Sequence, residues 1–433
     1  MILNKNIANA GWIIGCKIIQ ALLGAVISML TARYLGPSNF GVISYAAAIV
    51  AFAIPITKLG LSQVLVQEFV CSRDSEGEIL GSSLVLSLIS SVFCMIGVIA
   101  FACVTNAGER ETILVCALYS LLLIANAMEL IQYWFQARLI SKYTSVVSVI
   151  VYFCISLYKV VLLIAKCGVY WFAISNAIDH LLIGVILLVI YKRKSGRKLR
   201  FSLPTAKRLL GKSKYFIVSS MMVTIFSLTD KIMLKLMIDD VATGIYTAAS
   251  TCATMTSFVF AAVIDSMRPT VIACKKDDDS VYEKNLCGTY AIIIYMALAQ
   301  SLAMTIFAKW IIGVFYGTEY LASISVLRIV VWQSTFSYIG AVRGIWILAE
   351  EKQRYLWIIN SSGAILNIVL NLLLIPKLGA EGAAVASVIT QVFANFIIGF
   401  ILKPIRYNNV IIVKSLRPKI LKYMIDSFRG YKF

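Results

Sequence analysis

Residues 192–214 read KRKSGRKLRFSLPTAKRLLGKSK, and ten of the chain's 40 Lys and Arg residues lie in this one stretch. On either side the sequence turns apolar in long runs. Before it they lie near 12–32, 42–66, 79–103, 112–135, 143–165 and 170–191; after it near 214–236, 242–268, 286–308, 321–348, 354–375 and 382–402. A helix needs roughly 20 mostly apolar residues to cross hydrocarbon. Lipid gives the backbone no hydrogen bonds, so only helices and closed barrels span it. None of these runs alternates with the period of two of a barrel strand. With 60% hydrophobic and only 14% charged residues over 433 positions, the sequence predicts an all-α polytopic membrane protein of about 12 transmembrane helices at ~20 residues each.

The remaining cations follow the same alternation. Connections on the side of 192–214, with the two tails, hold 28 Lys and Arg; the opposite connections hold five, and seven lie inside apolar runs. Cytoplasmic loops gather Lys and Arg, so both termini are expected in the cytoplasm. The net charge of +19 then needs no nucleic acid partner. The reading divides the chain into an N-terminal six-helix lobe (1–192), a basic cytoplasmic linker (193–213), a C-terminal six-helix lobe (214–403) and a basic cytoplasmic tail (404–433). The linker suits an anionic inner leaflet, and the tail reads as a surface-lying amphipathic segment. Residues 12–32 are too long for the h-region of a signal and read as a retained first span. The ten cysteines fall into no metal or redox spacing. Most lie in apolar runs as small hydrophobes, so no metal, cofactor or structural disulfide is expected.

A short repeat links the halves. Asn39-Phe40-Gly41-Val42-Ile43-Ser44-Tyr45-Ala46-Ala47 opens the second span, and Ala242-Thr243-Gly244-Ile245-Tyr246-Thr247-Ala248-Ala249 opens the eighth. Six spans separate them, so the copies share one topology, as in a parallel repeat about an axis along the membrane normal.

The intramembrane charges are Lys17, Lys58, Lys159, Lys231, Lys235, Arg328 and Arg343, against fewer carboxylates, chiefly Glu129, Asp179 and Asp230. A cation at a helix centre costs ~2.5–3.5 kcal/mol on insertion scales, so such residues face a cavity or a partner. Lys17, Gln20, Gly24, Ser28 and Thr31 form one helical stripe, and Asn126, Glu129, Tyr133 and Gln136 another. Arg328, Trp332 and Thr335, and separately Asn360, Ala364, Asn367 and Asn371, repeat the pattern. Two readings stand for the cations near span ends. Lys17, Lys58 and Arg343 either snorkel to the cytoplasmic face or line a lumen; Lys231 and Lys235 have the same choice at the outer face. Arg328, about 10 Å below that face at 1.5 Å per residue, favours the lumen. Asp179 is either an ion site or a buried counter-ion, and the lone His180 is more simply structural than a relay. The asparagines serve equally as helix–helix glue or as ligands. No Ser/His/Asp arrangement, metal cluster or P-loop supports an enzyme.

Several stretches resemble the Wzx-type O-antigen flippases of the polysaccharide exporter family, in the MOP superfamily. They are Ala32-Arg33-Tyr34-Leu35-Gly36-Pro37-Ser38-Asn39-Phe40-Gly41; Thr229-Asp230-Lys231-Ile232-Met233-Leu234; Gly344-Ile345-Trp346-Ile347-Leu348-Ala349-Glu350; and Leu366-Asn367-Ile368-Val369-Leu370-Asn371 leading to Gly379 and Gly382. The resemblance implies two six-helix lobes around a central cavity in a bacterial inner membrane. It implies alternating-access export of an oligosaccharide on an undecaprenyl diphosphate carrier, by a monomer that associates with glycan polymerase machinery. On that reading Lys17, Lys231, Arg328, Lys58, Lys159 and Lys235 meet the head group. Asn126, Tyr133, Tyr152, Trp332 and Asn360 meet the sugar, and Asp179 or Glu129 couples H+ or Na+. The rival readings are a multidrug or cation antiporter of the same superfamily, which wants acidic sites, and a membrane glycan polymerase, which wants a long outer loop.

Overall fold

The structure, a computed structural model of the chain, describes residues 2–72, 75–195, 197–277 and 279–417. Among these residues every regular element is helical. The first unit contains α1 (Ile2–Thr57), α2 (Leu65–Cys71), α3 (Glu76–Thr105), α4 (Arg110–Met128), α5 (Gln132–Ala137), α6 (Lys142–Ile164), α7 (Val169–Ser195) and α8 (Leu203–Met237). Then α9 (Asp240–Thr254) leads into the second unit, with α10 (Ser257–Asp277), α11 (Asp279–Phe315), α12 (Ser323–Ala349), α13 (Leu356–Val392), α14 (Ile398–Ile401) and α15 (Arg406–Ser415). The compact units are Met1–Gly244 and Ile245–Phe433. Helix α8, which the sequence reading gave to the second lobe, packs on α1 and α3 of the first unit.

Among the described residues eight helices are long and apolar enough to cross a membrane, or nine with the bent pair Phe216–Ile225 and Ser227–Met237. The protein is therefore a multi-pass membrane protein. Two of the eight, Gly15–Thr57 and Gln353–Ile401, are about twice the length a crossing needs. Each is two spans. In α1, Gly36 takes φ 72° just before Pro37, a backbone state that a residue with a Cβ resists. Lys17 lies in one pocket with Gln132 and Tyr133, while Lys58 reaches Glu129. On a straight helix Lys17 and Lys58 would stand roughly 60 Å apart at 1.5 Å per residue, so the chain doubles back at Gly36. In α13, Gly379 takes φ 55° and Gly382 then packs on the Leu374 carbonyl. That too is a reversal.

Helix α3 shows how the sequence sets a packing face. Gly77, Gly81, Ser87 and Ser91 fall on one side and are buried, while Ile89, Phe93 and Ile96 point outward. Small residues let neighbours approach, and their hydroxyls bond across helices. Ser87 Oγ donates to the Thr57 carbonyl at 2.7 Å and Ser91 Oγ to the Leu123 carbonyl at 2.9 Å. One core gathers Tyr45, Val50, Val115, Leu123 and Ala173; a second gathers Leu65, Phe69, Trp134, Phe135 and Tyr191. Buried Glu76 accepts from Trp134 Nε1 at 2.9 Å and also pairs with Arg138.

Three boundaries differ from the sequence reading. The second span ends at Thr57, not near residue 66: Leu59 and Gly60 take φ 49° and 62°, and the apolar residues beyond form the buried α2. Hydropathy continues through this turn and so hides it. Helix α8 starts at Leu203, capped by Ser202 with Pro204 in its first turn, so residues 203–213 of the expected linker are helical. Residues 197–202 form an extended strap on α3. Arg200 N donates to the Gly77 carbonyl at 3.1 Å, and Ser202 N to Ser82 Oγ at 3.0 Å. The start of the expected tail is likewise fixed. Helix α15 docks on α11, where Tyr290 Oη donates to Asn408 Oδ1 at 3.0 Å and Lys414 pairs with Glu283 at 2.6 Å. The rest of the tail, 418–433, lies outside the described residues.

Candidate substrate-binding seam

Ser141, the N-cap of helix α6, and Ser145, Ser148, Tyr152 and Lys159 on the helix follow at steps of four, three, four and seven. These steps place them on one face. Facing it is the α1 stripe of Lys17, Gln20 and Gly24. The third wall is the segment after α4, where the helix tightens into a 3₁₀ turn at Glu129–Ile131 before α5. Tightened turns inside spans commonly mark functional hinges. The fourth is α7, with Asn176, Asp179 and His180.

At one end the first three of these walls frame a polar pocket of about 360 Å³. Lys17, Gln20, Gln132, Tyr133, Gln136 and Thr144 line it. Lys17 is exposed into it and makes no hydrogen bond or ion pair among the described residues. Next along the seam, Glu129 is held from two sides. Its Oε1 lies 2.5 Å from His180 Nδ1 and its Oε2 lies 3.4 Å from Lys58 Nζ. Farther along, Lys159 Nζ donates to Asn176 Oδ1 at 2.8 Å. Asp179 is buried beside it, its Oδ1 without a hydrogen bond. Tyr152 crosses to α1, its hydroxyl 2.7 Å from where a Cβ on Gly24 would stand.

The seam thus brings together seven of the residues singled out in the sequence: Lys17, Lys58, Glu129, Tyr133, Tyr152, Lys159 and Asp179. Asn126 is buried in α4, with its Nδ2 unbonded. Lys231 is half-buried in α8. Lys235 is different, because Glu109 and Asp240 both hold it at 2.6 Å. Two carboxylates neutralise that cation, so we leave it out of the head-group set. In the second unit Arg328 is exposed and donates from Nε to the Thr305 carbonyl at 3.3 Å, while Trp332 and Asn360 are half-buried. Arg343 has partners inside the second unit. It is buried and donates at 2.7 Å to both the Ala394 carbonyl and Asn395 Oδ1, on the wide π turn Phe393–Ile397.

The sequence reading missed the polar face of α6 and the partners of its charges. The signal for Ser141, Ser145 and Ser148 was present in their helical spacing; the signal for His180 with Glu129 was not, because they lie 51 residues apart. On the other flank of the first unit, α1, α3 and α8 frame an apolar groove of about 860 Å³, lined by Phe52, Ile56, Phe93, Phe101 and Ile232 among others. It presents almost no polar group and is no place for a sugar.

The family described as "Polysaccharide biosynthesis protein" matches residues 7–275. A relative described as a probable low-salt glycan biosynthesis flippase from Haloferax volcanii is 22% identical over 215 residues, 48% of this chain and 46% of that protein. The match thus spans about half the length of the curated relative. Among solved structures, a lipid II flippase in an inward closed conformation is similar with TM-score 0.73 and 15% identity, over 95% of this chain and 92% of that one. A multidrug resistance transporter of the MOP superfamily, inward-facing, follows with TM-score 0.68 and 14% identity, over 92% and 96%. These likenesses show a MOP-like polytopic helical fold.

Proposed function

Since the chain belongs to the polysaccharide biosynthesis protein family, we propose that it is a flippase, not an enzyme, moving a lipid-linked oligosaccharide between bilayer leaflets by alternating access. The observation that carries this reading is the polar seam inside a membrane-spanning unit, opening at one end into the pocket of Lys17, Gln20, Gln132 and Tyr133. A diphosphate loses hydration on leaving water, and charge-assisted bonds offset that loss. Lys17 supplies an unpaired cation for it. Hydroxyls and amides of the seam suit sugar hydroxyls, and the isoprenoid tail stays in lipid.

The finer reading follows the resemblance: an O-antigen or capsule repeat unit on undecaprenyl diphosphate, carried outward across a bacterial inner membrane with both termini cytoplasmic. In it Lys17, Lys58, Lys159, Lys231 and Arg328 serve the head group, and Asn126, Tyr133, Tyr152, Trp332 and Asn360 serve the sugar. Asp179 or Glu129 couples H+ or Na+, and a monomer works beside the polymerase machinery. A cation antiporter is the second reading, favoured by the buried, unbonded Oδ1 of Asp179.

The test is reconstitution in liposomes with a fluorescent lipid-linked oligosaccharide and a membrane-impermeant quencher. Protein-dependent access of the label from the opposite face supports the flippase. Absence of flipping, together with proton-driven efflux of a cationic dye, would transfer the assignment to the antiporter.

A further inference from the structure

Glu129 stands one turn before Tyr133, which lines the Lys17 pocket. Its backbone position therefore lies ~6 Å along the helix axis from that of Tyr133 at 1.5 Å per residue. Its two contacts are unequal. His180 Nδ1 is in close hydrogen-bond range at 2.5 Å, whereas Lys58 Nζ at 3.4 Å holds the other oxygen loosely. The groups facing His180 are Glu129 from the 3₁₀ turn, Lys58 from the end of the second span, and Asp179 beside it on α7. Lys159 of α6 faces Asp179 in turn.

We propose that His180 and Glu129 form a proton-binding pair linked to head-group binding through Lys58, the cation that Glu129 shares with the incoming anion. The inference rests on the flippase reading and specifies how its site is coupled. An anion arriving beside Lys17 attracts the loosely held Lys58. As Lys58 leaves, a positive charge withdraws from the pair and negative charge arrives nearby. Both changes raise the affinity of His180 and Glu129 for a proton, so binding takes one up. Linkage is reciprocal: if the anion brings a proton, the proton strengthens the anion. Affinity then rises as pH falls, by at most about tenfold per pH unit for one linked proton. Once the head group leaves, Lys58 returns to Glu129 and the proton is released.

The experiment uses the full chain in nanodiscs with farnesyl diphosphate as probe. Calorimetry in buffers of different ionisation enthalpy counts protons taken up per ligand between about pH 6 and 8, the range in which histidine ordinarily titrates. The wild type is expected to take up a fraction of a proton approaching one. His180→Gln is expected to bind with that uptake lost and its pH dependence flattened. Lys58→Gln, which leaves the His180–Glu129 pair in place, is expected to bind more weakly and with uptake reduced to the part that the anion's own charge induces. The probe's own titration is common to all three proteins and cancels in the comparison. Equal uptake in the wild type and both variants overturns the linkage, and so does wild-type binding without uptake; either leaves the flippase reading intact. Absence of any saturable binding to the wild type overturns both.

Discussion

Gly41 and Gly244 pack reciprocally: a Cβ on Gly41 would overlap the Asp240 carbonyl, and a Cβ on Gly244 would overlap the Pro37 carbonyl. Each glycine thus rests on the residue four positions before the other, a local two-fold relation. These are the glycines of the two short repeats in the sequence. The match between Asn39–Ala47 and Ala242–Ala249 reflects a shared demand for a backbone-to-backbone approach that no side chain permits. Gly41→Val or Gly244→Val forces the two helix starts apart. Overpacking of this kind costs about 1–3 kcal/mol, read as a lower melting temperature in detergent. Gly97→Ala is the control, because a Cβ there meets nothing within 4 Å and alanine is the better helix former by ~1 kcal/mol. Equal melting of the Gly41 and Gly97 variants would contradict the contact.

Beside that contact Lys235 ties Glu109 to Asp240. The hydrogen bond from Lys235 holds the Glu109 carboxyl below its usual range. A carboxylate with a depressed folded value adds stability above its unfolded value, and that stability disappears as pH falls through the folded one. Because half of the Glu109 side chain is exposed, its share is under ~1 kcal/mol. The melting difference between wild type and Glu109→Gln should therefore be small near neutrality and vanish in acid. Lys235→Met removes the cation from two carboxylates, and breaking a buried pair costs about 3–5 kcal/mol. The exposure of Glu109 puts the loss at the low end. A Lys235→Met protein as stable as wild type at neutral pH would remove the triad's structural role.

Much of this architecture was legible in the sequence because lipid imposes coarse rules. Run length located most of the spans, and the gap between the first two runs, which holds Gly36 and Pro37, marked the first reversal. Hydropathy was blind where an apolar run turns without becoming polar, as at Leu59 and Gly60, so the second span was drawn too long. The candidate seam was half legible. Steps of three and four found Lys17, Gln20 and Gly24, and the same rule applied to α6 would have found its serines. The pairing of charges was not legible. Lys58 and Lys235 look alike as lone intramembrane lysines, but one touches a single carboxylate loosely and the other is locked between two carboxylates. Only the three-dimensional meeting of distant segments decides that.

The same distinction gives opposite expectations for Lys17 and Lys235. Lys17 has no competing carboxylate, so Lys17→Gln should weaken binding of a diphosphate probe by about tenfold or more, the loss of one charged hydrogen bond at ~1.5–3 kcal/mol. Lys235→Gln should leave the probe affinity within about threefold, since its charge is already spent on Glu109 and Asp240; shifts that small sit inside the ordinary scatter of single contacts. Titration of both variants in nanodiscs checks the pair. Loss of binding in the Lys235 variant with retention in the Lys17 variant would reverse the assignment.

The strap over α3 is the last element with a sharp expectation. A Cβ on Gly81 would lie 2.8 Å from Arg200 N and overlap its carbonyl, and Gly77 bears the same relation to the Lys198 carbonyl. The strap's backbone bonds run to the Gly77 carbonyl and the Ser82 hydroxyl. Gly81→Val displaces Arg200 and breaks that register, and of the apolar cores it reaches only the edge where Leu199 packs. Local opening costs less than global unfolding, and proteolysis follows the population of the open form. Limited trypsin treatment should therefore cut after Lys198 and Arg200 about tenfold faster in the variant, corresponding to ~1.4 kcal/mol easier opening, with little change in melting temperature. An unchanged cleavage rate at both bonds would mean that residues 197–202 do not depend on these glycines for their place.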